Sequence, residues 1–306
     1  MKKISVIVPC YNEEEVIEVF YDKLTSFWRE ALAQYELEPV FVDDGSTDAT
    51  ADKIRKLLEK DDTVRYGSFT RNFGKEAAMF AGLELCSGDC AIVMDADLQH
   101  PVEVIPDMIS AWEEGFEIVE GIKSSRGKEP GDHSLLAALF YKIISSQTGF
   151  DMRNSSDFKL LDRKVIDVMG TFTEQEMFFR ALSFWTGFKS TSVEYAVQKR
   201  AAGKSKWKSS SLIKYALRNI LAFTYAPLYL ILFLGLFVIV IGAWLGIDAI
   251  ITYFEGKAVG GYPSLVILIT LSTGAILTSL GIISVYLSKV YGEVKNRPRY
   301  IFREHN

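Results

Sequence analysis

Cys90-Ala-Ile-Val-Met-Asp-Ala-Asp-Leu-Gln-His-Pro101 reads as a short strand that runs directly into a cluster of polar groups. Cys90–Met94 is apolar, and Asp95 and Asp97 leave it as alternate residues. Both carboxylates can therefore aim at one point, a donor set that suits a hard divalent cation. A D-x-D triplet alone usually reads as a solvated turn; the strand before it and Leu98-Gln99-His100-Pro101 after it add specificity. Three further strand-like runs precede it: Ile4–Val8, ended by Pro9; Glu38–Val42, ended by Asp43-Asp44-Gly45-Ser46-Thr47-Asp48; and Val64–Phe69. Helical periodicity follows them over Glu13–Trp28, about Ala49–Leu58, and Lys75–Leu85. This alternation with short connections predicts an α/β body with a mostly parallel sheet and flanking helices. Ligands of such sheets bind beyond the carboxyl ends of the strands. Here those ends carry Tyr11-Asn12-Glu13, Asp43-Asp44, Arg71-Asn72, and Asp95 with Asp97.

A glycine turn with Ser46 or Thr47 capping the next helix accounts for much of Asp43–Asp48. Capping does not call for two adjacent carboxylates at a strand end, and one of them, read as Asp43, suits a nucleobase edge or a ribose. The 306 residues are 49% hydrophobic and 24% charged, which excludes a disordered or fibrous chain and points to about two units. The net charge of −5 divides unevenly, with −14 on residues 1–198 and +9 on residues 199–306. An acidic body argues against nucleic acid as a partner, and a basic, apolar C-terminal third argues for a membrane. Cys10, Cys86 and Cys90 are odd in number and lack zinc-ligand spacing, as expected of buried thiols in a reducing cytoplasm. Ile4–Val8 is too short for a secretory apolar region, which predicts a body that stays cytoplasmic.

No charge occurs between Arg218 and Asp248, nor between Lys257 and Lys289. Each run exceeds the roughly 20 residues needed to cross a bilayer, which predicts two transmembrane helices within 225–290. Lys199, Arg200, Lys204, Lys206, Lys208, Lys214 and Arg218 precede the first run, and Lys289, Lys295, Arg297, Arg299 and Arg303 follow the second. The intervening loop holds only Lys257, so both termini are expected in the cytoplasm, with residues 291–306 as a basic tail. The polybasic stretch lies where anionic head groups or a lipid-borne phosphate would be met. Residues 132–148, with Leu135, Leu136, Leu139, Phe140, Ile143 and Ile144 at helical spacing, suit an interfacial helix or one packed on the sheet. Residues 207–224, with Trp207, Leu212, Ile213, Ala216, Leu217 and Ile220, suit a juxtamembrane amphipathic helix. Gly235, Gly242, Gly246, Gly274 and Gly281 allow close helix contact and a homo-oligomer, or are ordinary glycine usage in membrane helices.

Val8-Pro-Cys-Tyr-Asn-Glu13, Val42-Asp-Asp-Gly-Ser-Thr-Asp48, Arg71-Asn-Phe-Gly-Lys75, Met94-Asp-Ala-Asp-Leu-Gln-His-Pro101 and Ser156-Asp-Phe-Lys-Leu-Leu-Asp-Arg163 occur in order. Together, over about residues 4–206, they resemble the inverting family-2 glycosyltransferases of GT-A fold. More narrowly they resemble the polyprenyl-phosphate enzymes, the bactoprenol glucosyltransferases and dolichol-phosphate mannose synthases. The resemblance implies a nucleotide-sugar domain at residues 1–206, with Pro9, Tyr11, Glu13 and Asp43 lining base and ribose. Lys75 and Ala96 fall within its donor-binding motifs. It implies Mg²⁺ or Mn²⁺ held by Asp95, Asp97 and Gln99 against the diphosphate, with Asp97 catalytic in that sense. It implies Asp157 as the acceptor-side acid, acting as a base or as an orienting group, and Arg126, Arg200, Lys204 and Lys206 as phosphate-binding. The Gln-x-x-Arg-Trp signature of processive synthases is absent, and Glu174–Arg180 stands in that region, which favours transfer of one sugar.

The expected reaction moves a hexose, glucose from UDP-glucose, onto undecaprenyl phosphate at the cytoplasmic face of a bacterial plasma membrane. UDP-N-acetylglucosamine, UDP-galactose and GDP-mannose fit the same motifs, because sugar choice depends on pocket shape. Transfer to a protein or polysaccharide, and a non-catalytic nucleotide-binding scaffold, are the competing readings. The intact Asp95/Asp97 pair and Asp157 count against the scaffold.

Overall fold

The computed structural model describes residues 1–123, 156–174, 178–196, 226–256 and 262–306. Contacts divide the chain into two units, Met1–Ala216 with Arg297–Asn306, and Leu217–Asn296. The first is built on an eight-stranded sheet: β1 (Lys3–Cys10), β2 (Glu36–Asp43), β3 (Arg65–Phe69), β4 (Cys90–Val93), β5 (Ile118–Lys123), β6 (Lys159–Asp162), β7 (Ser190–Tyr195) and β8 (Phe302–His305). Their order is β7-β5-β6-β4-β1-β2-β3-β8. β4, β1, β2 and β3 run parallel, whereas β6 is antiparallel to both β4 and β5, and β8 is antiparallel to β3. The sheet is mostly parallel, as expected.

β1 is buried along nearly its whole length because helices cover both faces, which is why it reads as a continuous apolar run. It does not stop at Pro9: the register continues through Pro9↔Val42 and Cys10↔Asp43. On the other side the pairing with β4 ends at Ile7, so beyond it a proline costs no ladder bond on that side. Helix α1 (Ile17–Ala31) buries Ile17, Phe20, Leu24 and Trp28 at helical spacing. It starts four residues later than its periodicity predicts, because the Glu13 carbonyl accepts the Val16 and Ile17 amides in a turn that belongs to the loop. α2 (Thr50–Lys60) and α3 (Lys75–Leu85) follow β2 and β3. α3 lies close on β1: a Cβ on Gly82 would stand 2.2 Å from Ile7 Cγ2. α4 (Ile105–Glu113) follows β4, α5 (Arg163–Gly170) follows β6, and α6 (Phe179–Trp185) precedes β7.

The chain end is not a free tail. Phe302–His305 forms an edge strand on β3, and Tyr300 stacks on Phe69 with centroids 5.0 Å apart. β8 covers the otherwise unpaired edge of β3, and the alternate residues Tyr300 and Phe302 pack against the apolar cluster around Phe69.

The second unit contains α7 (Ala226–Phe254, 29 residues) and α8 (Tyr262–Val294, 33 residues). Among the described residues one stretch, Leu271–Val294, is long and apolar enough to cross a membrane, and Phe233–Asp248 is a shorter apolar stretch. Large apolar side chains such as Phe237, Trp244, Ile276 and Leu287 are exposed along both helices, a surface that water does not favour. Residues 132–148 and 207–224 lie outside the described residues.

Candidate functional site

The carboxyl ends of β1 and β2 are laced together by their loops. Asn12, at φ +53°, donates its amide to Ser46 Oγ (2.9 Å) and accepts the Thr47 amide on Oδ1 (2.9 Å). The Glu13 amide donates to Thr50 Oγ1 (2.8 Å), and Glu14 accepts the Ala49 amide (3.0 Å). Gly45, at φ +67°, lets the second loop touch the Arg71 backbone, where a Cβ would lie 2.4 Å from the Arg71 carbonyl carbon. Tyr11 stands at this edge 36% exposed, a ring on which a planar group can stack. Pro9 and Glu13 are half-buried beside it.

Asp43 is buried, with Oδ1 accepting the Ser46 amide (3.1 Å) and Oδ2 the Ser68 hydroxyl (2.9 Å). Each oxygen keeps a second lone pair for a ligand. Asp44 is the structural partner: its carboxylate accepts the amides of Phe73 (2.6 Å) and Gly74 (3.1 Å) and so fixes the start of α3. Burial pushes its carboxyl up to about 6.

Beyond β4 the burial alternates. Asp95, Asp97 and Gln99 are half-exposed, whereas Ala96, Leu98 and His100 are buried. These three polar groups are the accessible ones of the segment, and Leu98 within the turn adopts φ +60°. Ala96 packs its methyl into the hydrophobic core, which leaves only its peptide groups for a ligand. The His100 ring stacks on Phe158 (4.8 Å between centroids, 8° between planes), and its Nδ1 accepts the Asp95 amide (3.1 Å). That bond assigns the proton to Nε2, and burial holds the imidazole below its usual range. Among the described residues no three His, Cys, Asp or Glu side chains gather to hold a metal by themselves. Two carboxylates and an amide oxygen, all accessible, are the donor types that suit magnesium or manganese, which take their remaining oxygens from phosphate and water.

Lys75 joins this edge to another part of the sequence. As the first residue of α3 it places Nζ 2.6 Å from Asp95 Oδ1 and 2.8 Å from Asp157 Oδ2. Asp157 precedes β6, whose antiparallel pairing with β4 (Val93↔Lys159) brings residue 157 alongside residue 95. Arg180 on α6 grips the same carboxylate with two nitrogens, Nε at 2.7 Å from Oδ1 and Nη2 at 3.1 Å from Oδ2. Burial opposes ionisation of Asp157, but Arg180 and Lys75 outweigh it and hold the carboxyl well below its usual range. A carboxylate so engaged is a poor proton acceptor and a good orienting group. Glu76 accepts the Phe179 amide (2.8 Å), which ties α3 to the start of α6, and burial, reinforced by Asp157, lifts its carboxyl to about 7. Deeper still, Lys159 pairs with Glu120 (2.9 Å), and its Nζ lies 3.9 Å from the centre of the Phe184 ring. That buried pair braces β5, β6 and α6 beneath the site.

The chain has known relatives. The profile of Glycosyl transferase family 2 matches residues 5–171, more than half of the chain. The chain belongs to glycosyl transferase family 2. Over its whole length this family 2 enzyme is similar to the SfII prophage-derived bactoprenol glucosyl transferase of Shigella flexneri: 40% identical over 307 residues, 99% of this chain and 98% of that one. A prophage bactoprenol glucosyl transferase homolog of Escherichia coli K12 is 39% identical, over 98% of each chain. An uncharacterized glycosyltransferase of Bacillus subtilis is 36% identical, over 98% of this chain and 93% of that one. Among solved structures, the glucosyl-3-phosphoglycerate synthase of Mycobacterium tuberculosis, crystallised with Mn²⁺, uridine diphosphate and phosphoglyceric acid, matches with a TM-score of 0.53 at 19% identity. That match covers 72% of this chain and 76% of that one, and it shows the fold, an α/β arrangement of GT-A type.

The family 2 motifs named from sequence supply Lys75, Asp95 and Asp157, which the structure brings within one ion-paired cluster. Arg126, Arg200, Lys204 and Lys206 lie outside the described residues. Sequence reasoning missed Arg180, Glu76 and His100 as parts of the site. Arg180 carried a usable signal: an arginine directly after Phe178-Phe179, both buried, needs an anion within the fold. Glu76 and His100 carried none beyond their neighbours in the motifs.

Proposed function

We propose that this glycosyltransferase moves one hexose, glucose from UDP-glucose, onto a polyprenyl phosphate such as undecaprenyl phosphate. The observation that carries this reading is the commitment of Asp157 to Arg180 and Lys75. A hydroxyl acceptor would need a base to remove its proton, whereas a phosphate monoester, with its second pKa near 6, is already an anion at neutral pH. A site whose central carboxylate is locked suits an acceptor of the second kind. Full-length similarity to proteins named bactoprenol glucosyl transferases supports the same acceptor.

In the proposed step a phosphate oxygen attacks the anomeric carbon from the face opposite the nucleotide. The new C–O bond forms as the bond to the β-phosphate breaks, its electron pair leaves with UDP, and the configuration inverts. Tyr11, Pro9, Glu13 and Asp43 seat the uridine, while Asp95, Asp97 and Gln99 are the side chains that would hold Mg²⁺ or Mn²⁺. Such an ion, when bound, takes up charge on the departing diphosphate. Asp157 holds Arg180 in place where two anions must approach each other, and Lys75 stands beside it, which is electrostatic screening supplied by the fold. Arg126, Arg200, Lys204 and Lys206 are proposed to meet the lipid phosphate. α7 and α8 are proposed as two spans, with both termini and the catalytic body on the cytoplasmic side.

Membranes bearing the chain, incubated with radiolabelled UDP-glucose, should yield label that extracts into organic solvent. Asp97→Ala should lower that transfer by on the order of 100-fold, the scale of losing one group that stabilises leaving-group charge. Label in protein or polymer, or an unchanged Asp97→Ala rate, would overturn the reading.

A further inference from the structure

Lys75 stands on a fixed base and carries a movable charge. Its backbone is anchored by Asp44, which holds the Phe73 and Gly74 amides immediately before it. Its ammonium is carried on four flexible methylenes, and the side chain as a whole is 39% exposed, so it can swing without moving the backbone. At that tip it spans Asp95 (2.6 Å) and Asp157 (2.8 Å), two carboxylates that belong to different halves of the proposed reaction. Asp157 has a second cation in Arg180, so it keeps a partner whether Lys75 stays or leaves. Glu76, the adjoining carboxyl, accepts the Phe179 amide.

Two cations cannot share one face of the Asp95 carboxylate without strong mutual repulsion. We infer that Lys75 is a resident counter-cation: it neutralises Asp95 before the donor arrives and is displaced when a divalent cation and a nucleoside diphosphate bind together. The displaced ammonium then meets the incoming diphosphate, whose charge compensates for the pairing it gave up. A divalent cation alone has to evict Lys75 with no such compensation and therefore binds weakly. Cation and nucleotide are coupled through this one side chain. Departure of Lys75 also leaves Asp157 to Arg180, so the acceptor side changes only once the donor is seated. This inference rests on the proposed metal and donor roles of Asp95 and Asp97.

The test measures Mn²⁺ affinity of the full-length protein in detergent, from the spectrum of free Mn²⁺, with and without saturating UDP. The ratio of the two dissociation constants is the coupling factor, and by linkage it also describes the effect of Mn²⁺ on UDP. Lys75→Met should bind Mn²⁺ more tightly without UDP and should lower the coupling factor by about tenfold, within the usual span of such couplings. Lys75→Gln, equally uncharged and more polar in a partly exposed side chain, should shift both quantities the same way and serves if the methionine variant does not fold. Wild-type affinity and coupling in a folded Lys75 variant would overturn the exchange. Asp97→Ala separates the two levels. If it loses Mn²⁺ binding while the Lys75 variants match the wild type, the metal site stands and the exchange falls; if it binds Mn²⁺ normally, the underlying site assignment falls.

Discussion

Glu76 holds the Phe179 amide at 2.8 Å and so connects the helix that carries Lys75 to the helix that carries Arg180. Its carboxyl is lifted from 4.5 to about 7, chiefly by burial. A raised carboxyl holds its proton more tightly in the folded state than in the unfolded chain. Its stabilising contribution is therefore complete below about 4.5 and is lost as pH rises through about 7. Glu76→Gln keeps an acceptor for the Phe179 amide and removes the titration. The wild-type melting temperature should fall between pH 5 and pH 7.5 relative to that variant. Parallel melting curves across this range would show that Glu76 is not the titrating group. Asp44, lifted to about 6 by burial, leaves a slope of the same sign in both proteins, so the difference between them is the informative quantity.

At the scale of elements, β8 illustrates how a sheet manages its edge. It pairs Gly67↔His305, Ser68↔Glu304 and Phe69↔Phe302, with an irregularity between Ser68 and Phe69. The Thr70 amide donates to the Ile301 carbonyl (3.0 Å), and the Asn306 amide donates to the Tyr66 carbonyl (3.1 Å). Phe302 lies 5.5 Å from Phe69 and 5.3 Å from Tyr300, centroid to centroid, which closes an aromatic cluster over the end of β3. Ser68 in the same strand donates its hydroxyl to Asp43, so the edge lies one residue from the proposed nucleotide pocket. Phe302→Ala should destabilise the first unit by roughly 2 kcal/mol, less than the loss of a fully buried ring because this one is half-buried. Denaturant unfolding measures it, and an unchanged midpoint would mean that β8 is only laid against the sheet.

At the scale of the molecule, the second unit, Leu217–Asn296, is inserted between two pieces of the first. In the described part of the first unit exposed large apolar side chains are few and scattered, Trp185 and Ile301 among them, whereas α7 and α8 expose them turn after turn. Replacing residues 217–296 by a Gly/Ser linker of about 20 residues, with an r.m.s. reach of about 25 Å, should give a soluble protein. Its sheet, β8 included, should melt as the parent's does. Recovery only from inclusion bodies would show that the first unit depends on the second to fold.

The strand-and-turn motifs were legible along the chain because their causes are local. Apolar β-branched runs and the Asp, Asn and Gly turns that end them specify strands and loops within a few residues, and α3 begins and ends where its periodicity places it. Parallel connection through short loops then puts the motif residues at one sheet edge, so Asp43, Asp95 and Asp97 are candidates from the sequence alone. The cluster itself was not legible. Lys75 and Asp157 are 82 residues apart and Arg180 lies 23 beyond Asp157, and they meet because β6 reverses direction against β4. Nothing in a local pattern records which strand an antiparallel partner will choose. The same holds for the chain end, whose arginines read as a basic tail and whose residues 302–305 pair with the edge of β3. Periodicity and turn chemistry are properties of neighbours along the chain and can be read there. The pairing of distant charges and the covering of a sheet edge depend on which surfaces remain unsatisfied after folding, and those exist only in three dimensions.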